Sequence, residues 1–139
     1  MTDNLSRQKR SWNMSRIRSK NTAPEMVVRK AIFSMGYRFR LHEKKLPGKP
    51  DIVLSKFKVA IFVNGCFWHQ HRNCKRSTMP KTNKKYWKAK LERNVRNFED
   101  ATNQLRKIGW RYTAIWECET NNAIILFKKL RRVLNKWAK

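Results

Sequence analysis

An α/β domain on a mixed sheet is what this sequence predicts, from three observations. Apolar residues recur every three or four positions in three separate segments, and β-branched or aromatic runs lie between them. The order is therefore helix, strands, helix, strand, helix. The middle strands are joined by a connection too short for a parallel crossover, whereas a long helix precedes the last strand, so both pairing senses are expected. At 139 residues the chain suits one domain with a real core, and no linker or internal repeat divides it.

Residues 1–21 hold few apolar side chains and no sustained period, which reads as a basic arm that orders on a partner. The domain is expected to span 22–139. In TAPEMVVRKAIFSMG, Thr22 and Glu25 have capping-box spacing and Pro24 sits in the first turn. Val27, Val28, Ala31, Ile32 and Met35 share a face before Gly36 ends the helix. YRFRLH alternates briefly, KKLPGKPD is a Pro/Gly turn, and DIVL and FKVAIFV read as adjacent strands or a hairpin. The segment 66–81 is irregular. From Asn83 onward a long helix is expected, with Trp87, Leu91, Val95, Phe98, Thr102 and Leu105 in period and Gly109 closing it. WRYTAIWE is a further strand with Tyr112, Ala114 and Trp116 on one face, and the amphipathic AIILFKKLRRVLNKWAK closes the chain.

Lys and Arg number 34 against 9 Asp and Glu, a formal net charge of +25. Such an excess makes a polyanion the default partner, because each phosphate contact releases counterions. Residues 75–96 hold nine basic residues and only Glu92 as an acid, a density that points to nucleic acid rather than to solubility alone. No apolar run is long enough to span a membrane, and residues 1–20 lack a signal-peptide core, so a cytoplasmic, nucleoid-associated protein without a membrane partner is expected. Three cysteines argue against a closed disulfide framework.

The chemically densest stretch is IFVNGCFWHQHRNC, residues 61–74. Cys66, His71 and Cys74 have the residue types of a zinc knuckle, with Cys118 as a remote fourth ligand or His69 as a local one. An iron–sulfur cluster suits this mixture less well. Phe67 and Trp68 stand between these residues, where they either cap the sheet edge or present a wedge to stacked bases. Asp51 follows a Pro turn at a strand start in an acid-poor chain. It is either a turn former or a carboxylate that holds Mg²⁺ against a phosphodiester.

The run NMSRIRSKNTAPE, then LPGKPDIV, GCFWHQH followed by Cys74, PKTN with YW and ERN after it, and GWRYTAIWEC stand in one order. Together, over residues 7–119, they resemble the very-short-patch-repair DNA mismatch endonucleases. The resemblance implies a restriction-endonuclease-like core of the PD-(D/E)xK kind: a mixed sheet flanked by helices, with a zinc knuckle. It also implies Mg²⁺-dependent nicking 5′ of the T in T·G mismatches that arise from deaminated 5-methylcytosine. By the same resemblance Asp51 holds catalytic Mg²⁺, with the Val63 carbonyl facing the same ion. His69 assists at the water or phosphate, and Glu25 lies nearby. Cys66, His71, Cys74 and Cys118 hold structural Zn²⁺, while Phe67, Trp68 and Trp87 enter the DNA. The expected partner is duplex DNA with a T·G mismatch, approached by a monomer, with mismatch-repair proteins as further candidates.

Two positions depart from that pattern. Asn64 stands where a histidine is usual and cannot exchange protons near neutral pH. Phe98 stands where many members carry an aspartate, and Asp100 would point about 200° away around a helix. Two other classes therefore stay open: a mismatch binder with weak catalysis, and an unrelated zinc-stabilised duplex-binding module.

Overall fold

The computed structural model describes residues 22–138. Helix α1 (Ala23–Ser34) is followed by strands β1 (Arg40–Leu41), β2 (Ile52–Leu54) and β3 (Val59–Asn64). Helix α2 (Lys84–Lys107), strand β4 (Arg111–Trp116) and helix α3 (Ala123–Trp137) complete the order. The sheet runs β1-β2-β3-β4; the first three strands pair antiparallel, and β3 pairs parallel with β4. That parallel pair is the reason for the long crossover: the irregular segment and α2 carry the chain back to the starting end of the sheet. The expected arm, residues 1–21, lies outside the described residues.

Both faces of the sheet are covered, which explains why VAIFV, residues 59–63, is apolar throughout instead of alternating. On one side Val59 and Ile61 meet Val28 and Ile32 of α1 and Leu126, Leu130 and Leu134 of α3, all essentially buried. On the other, Ala60 and Phe62 meet Leu105 of α2, with Phe98 and Tyr112 packed against them. Strand β4 is likewise split. Ile115 joins the larger core, while Tyr112 and Trp116 of the expected face are half-buried and turn toward the α2 side and the cysteine cluster.

Local signals placed the helices well. The Thr22 hydroxyl accepts the Glu25 N–H at 3.4 Å, and Gly36 ends α1 at φ +94°, a conformation that a Cβ would strain. The capping box is only half made, however, because the Glu25 carboxylate turns to other partners. Val27, expected on the apolar face of α1, is 41% exposed, at the rim of the stripe that Val28 and Ile32 bury. In α2, Leu91, Thr102 and Leu105 are buried, but Trp87, Val95 and Phe98 are only half-buried; Phe98 stands where the smaller core meets a cleft.

The turn between β1 and β2 presses on α2. At Gly48, with φ +78°, a Cβ would lie 2.9 Å from the Ala101 Cβ and 3.1 Å from the Phe62 ring, so only glycine permits this approach. That contact fixes where Asp51, three residues later, meets the sheet. No helix among the described residues is long and apolar enough to cross a membrane.

Candidate active site and metal centre

Asp51 stands at the start of β2, and its carboxylate Oδ2 accepts the backbone N–H of Val63 at 2.7 Å. Its own carbonyl accepts the N–H of His42 at 3.1 Å, which continues the β1–β2 ladder by one step. From α1 comes Glu25, only 2% exposed, ion-paired with Arg29 one turn along and 3.2 Å from His42 Nε2. The ligand atoms of Glu25, His42 and Asp51 all lie within 4.8 Å of one another. Burial pushes the Asp51 carboxyl up to about 6; the Val63 N–H opposes this and the neighbouring Glu25 carboxylate adds to it. A carboxylate so placed gains from any cation that reaches it.

These residues line a cleft of about 1050 Å³ with Val63, Asn64, Phe67, Trp68, His69 and Phe98. His69 packs against Phe98 and Trp116, with ring centroids 5.5 and 6.5 Å away, and burial lowers its pKa. A neutral imidazole is the form that can take a proton. His69 Nδ1 and Asn64 Nδ2 are buried and make no hydrogen bond within the protein, so the cleft is polar where it lacks protein partners. Phe98 occupies the α2 side of this cleft at 5.0 Å from Phe62, and Asp100 is exposed and absent from the lining. At position 98 the α2 side of the cleft is thus closed by a packed aromatic ring, as helical period indicated.

The second cluster is made by the ends of β3 and β4. Cys66 follows β3, Cys118 follows β4, and the knuckle brings His71 and Cys74 to them, so that all four ligand atoms lie within 4.8 Å. The His71 N–H bonds the Cys66 carbonyl at 2.9 Å, and its ring stacks on Trp116 at 4.1 Å and 8°. His71 Nδ1 stands 3.5 Å from Cys118 Sγ. For zinc–sulfur and zinc–nitrogen bonds of usual length, the N···S edge of a tetrahedron is about 3.5 Å, so the donors fit that ion. Burial pushes the Cys66 thiol up to about 12, and Cys118 is raised for the same reason, whereas the Arg76 backbone N–H lowers Cys74. Several thiolates so close need a cation between them. His69, the local alternative, belongs to the cleft and not to this cluster.

At the edge of the cleft three aromatics form one platform. Phe67, Trp68 and Trp87 meet pairwise at 5.3, 5.6 and 5.9 Å between centroids, and all are half-buried. Lys90 Nζ lies 5.6 Å from the Trp68 ring centre, and Asn94 Nδ2 bonds the Trp68 carbonyl at 3.3 Å, so α2 both charges and braces the platform. Phe67 and Trp68 thus face the cleft rather than the core.

The structure brings together Asp51, Glu25, Val63 and His69 in the cleft, and the four cysteine and histidine donors in the knuckle. Sequence reasoning missed His42 and the Asn94 and Asn97 lining. The available signal for His42 was composition: all three histidines of the chain lie at one of the two centres.

Residues 2–76 match the family model for the DNA mismatch endonuclease Vsr. The chain is 44% identical over 135 residues to the type II nicking enzyme V.XorIIP of Xanthomonas oryzae, covering 97% of this chain and 98% of that one. It is 41% identical to V.NmeAIP of Neisseria meningitidis, covering 98% of this chain and 96% of that one. With the DNA mismatch endonuclease Vsr of Escherichia coli it shares 35% identity, over 85% of this chain and 75% of that one. The fold, the cleft carboxylates and these similarities agree: the chain belongs to the Vsr family of DNA mismatch endonucleases.

Proposed function

We propose that this endonuclease of mismatched DNA cuts one strand 5′ of the T in a T·G mismatch, by hydrolysis at the Asp51 cleft. The observation that carries the reading is the placement of a half-buried carboxylate, held by the Val63 N–H, beside the aromatic platform in one cleft. A divalent ion held by Asp51, Mg²⁺ in the simplest case, would polarise the scissile phosphate and favour ionisation of the attacking water. Asp51 supplies the charge, and the Val63 N–H fixes its rotamer. Glu25 adds a second carboxylate at the same end, paired with Arg29. Neutral His69 takes the proton from the attacking water or steadies the phosphate, and the buried Asn64 amide offers a hydrogen bond to a phosphate oxygen.

Recognition falls to the platform. Phe67, Trp68 and Trp87 enter the stack beside the mismatch, where pairing is already weakened and unstacking costs least. The exposed lysines and arginines of α2 and the arm at 1–21 follow the phosphates. Cys66, His71, Cys74 and Cys118 hold a structural Zn²⁺ that keeps the platform rigid.

Single-turnover nicking of a panel of mismatched duplexes, against a matched duplex, tests the reading. The T·G duplex is expected to be cut fastest, on the T strand alone. Equal cutting of matched and mismatched duplexes would overturn it, and tight T·G binding without cutting in Mg²⁺ or Mn²⁺ would favour a mismatch binder, with Phe98 as its mark. Phe67→Ala and Trp68→Ala should each weaken mismatch binding far more than they lower melting temperature; the reverse pattern would make these residues core. His69→Ala should lower the cutting rate by roughly 10²–10⁴-fold with zinc content unchanged, and a loss of zinc instead would move His69 to the knuckle.

A further inference from the structure

Of the three groups that converge at the inner end of the cleft, one is an imidazole. We propose that His42 is a ligand of the ion held by Asp51, and that its nitrogen gives this site a preference for a first-row transition ion such as Mn²⁺ over Mg²⁺. The inference rests on the assignment of Asp51 as the ion-holding carboxylate.

The backbone puts His42 there. It is the residue just after β1, with φ +50°, its N–H bonds the Asp51 carbonyl at 3.1 Å, and it lines the cleft together with Asp51. Positive φ is uncommon outside glycine, and the ladder bond holds this residue in it. Its Nε2 lies 3.2 Å from Glu25 Oε2, the spacing of two neighbouring ligands on one ion, which is about 3 Å for octahedral bonds of usual length. Asp51 completes the group within 4.8 Å.

A cation already sits against two of these atoms. Arg29 Nη2 contacts the Glu25 carboxylate and lies 3.0 Å from His42 Nε2. Nε2 thus touches a guanidinium, which only donates, and a carboxylate, which only accepts, so its role turns on the tautomer; with the ring proton on Nδ1 it accepts from Arg29. That is the tautomer that ligates a metal through Nε2. Arg29 thus acts as an internal competitor for the same donors. The unpartnered, buried Asn64 Nδ2 in the same cleft points independently to an oxygen-bearing ligand there, as a phosphodiester would be.

Ion preference follows from the donor set. Mg²⁺ selects oxygen and keeps its waters, whereas imidazole suits first-row transition ions, among which Mn²⁺ is the weakest binder and gains the least. A site of two carboxylates and one imidazole therefore shifts away from Mg²⁺, and an all-oxygen version of it should shift back.

The test uses the zinc-loaded full chain bound to an already nicked T·G duplex, titrated with Mn²⁺ and with Mg²⁺ in competition, and read by electron paramagnetic resonance. The parent is expected to bind Mn²⁺ several-fold more tightly than Mg²⁺, with spin-echo modulation from a directly bound nitrogen. His42→Gln, checked for zinc content and melting, should lose the nitrogen modulation and most of the preference. His69→Ala should keep both, which excludes the other cleft imidazole, and Arg29→Met should tighten Mn²⁺ binding several-fold. Nitrogen modulation that persists in His42→Gln, or bound Mn²⁺ with none in the parent, overturns the proposal for His42. Binding of Mn²⁺ undiminished by Asp51→Asn would instead overturn the assignment of Asp51 on which it rests.

Discussion

Asp51→Asn is expected to lower single-turnover nicking by several orders of magnitude while leaving affinity for a T·G duplex intact or raised. The substitution keeps size and shape but removes the charge that holds an ion against the phosphate, and it deletes one repulsion toward the DNA backbone. Rate and affinity should therefore move apart, which a merely structural role would not produce. The same substitution should also stabilise the protein in metal-free buffer. With its pKa raised from 3.8 to about 6, the Asp51 carboxyl binds its proton more tightly in the folded chain than in the unfolded one. Stability from this group is therefore complete below the unfolded value and is lost as pH rises through the folded one, a difference of about 3 kcal/mol at most above pH 7. Melting of the parent should fall between pH 4 and 7, and the asparagine variant should show a flatter profile and a higher melting temperature at pH 8. Parental cutting by the variant would remove Asp51 from the chemistry.

Zinc removal is the second large effect. The four donors bring the end of β3 to the end of β4 through the knuckle, so an ion held there would fasten two neighbouring parallel strands beside the active cleft. Without it the Cys66 and Cys118 thiols, which burial raises, would protonate and the cluster would lose its centre. Cys118→Ser is expected to lose zinc and about 3 kcal/mol or more, on the order of 10 °C in melting temperature for a domain of this size. A strong chelator should do the same to the parent and leave His69→Ala as sensitive as the parent. Purified protein with less than about half an equivalent of zinc, and melting indifferent to chelator, would overturn the metal assignment.

The two experiments differ in what they isolate. Asp51→Asn should separate chemistry from binding with the fold intact, whereas zinc loss should impair binding, cutting and stability together, because the platform residues Phe67 and Trp68 lie inside the metal loop.

The sequence alone determined the elements and much of the chemistry. Local signals mark them: the Thr22 cap, the Gly36 and Gly109 stops, the continuous apolar run of β3 and the period of α2 all depend on nearest neighbours in the chain. Cys66, His71 and Cys74 are close in sequence, so their knuckle was readable from residue type, while Cys118 came from resemblance to the family. Tertiary structure decided the rest. Only the sheet brings Cys118 to the knuckle across 47 residues from His71, and leaves His69 in the other site. Only the β1–β2 ladder sets His42 beside Asp51 and Glu25, three residues from separate elements whose spacing in the chain carries no period. The same holds for Glu25 itself, which capping-box spacing explained equally well: its carboxylate faces Arg29 and His42 because α1 packs that flank against the cleft. Ligand sets drawn from distant elements are fixed by packing and strand register, and neither has a local imprint in sequence.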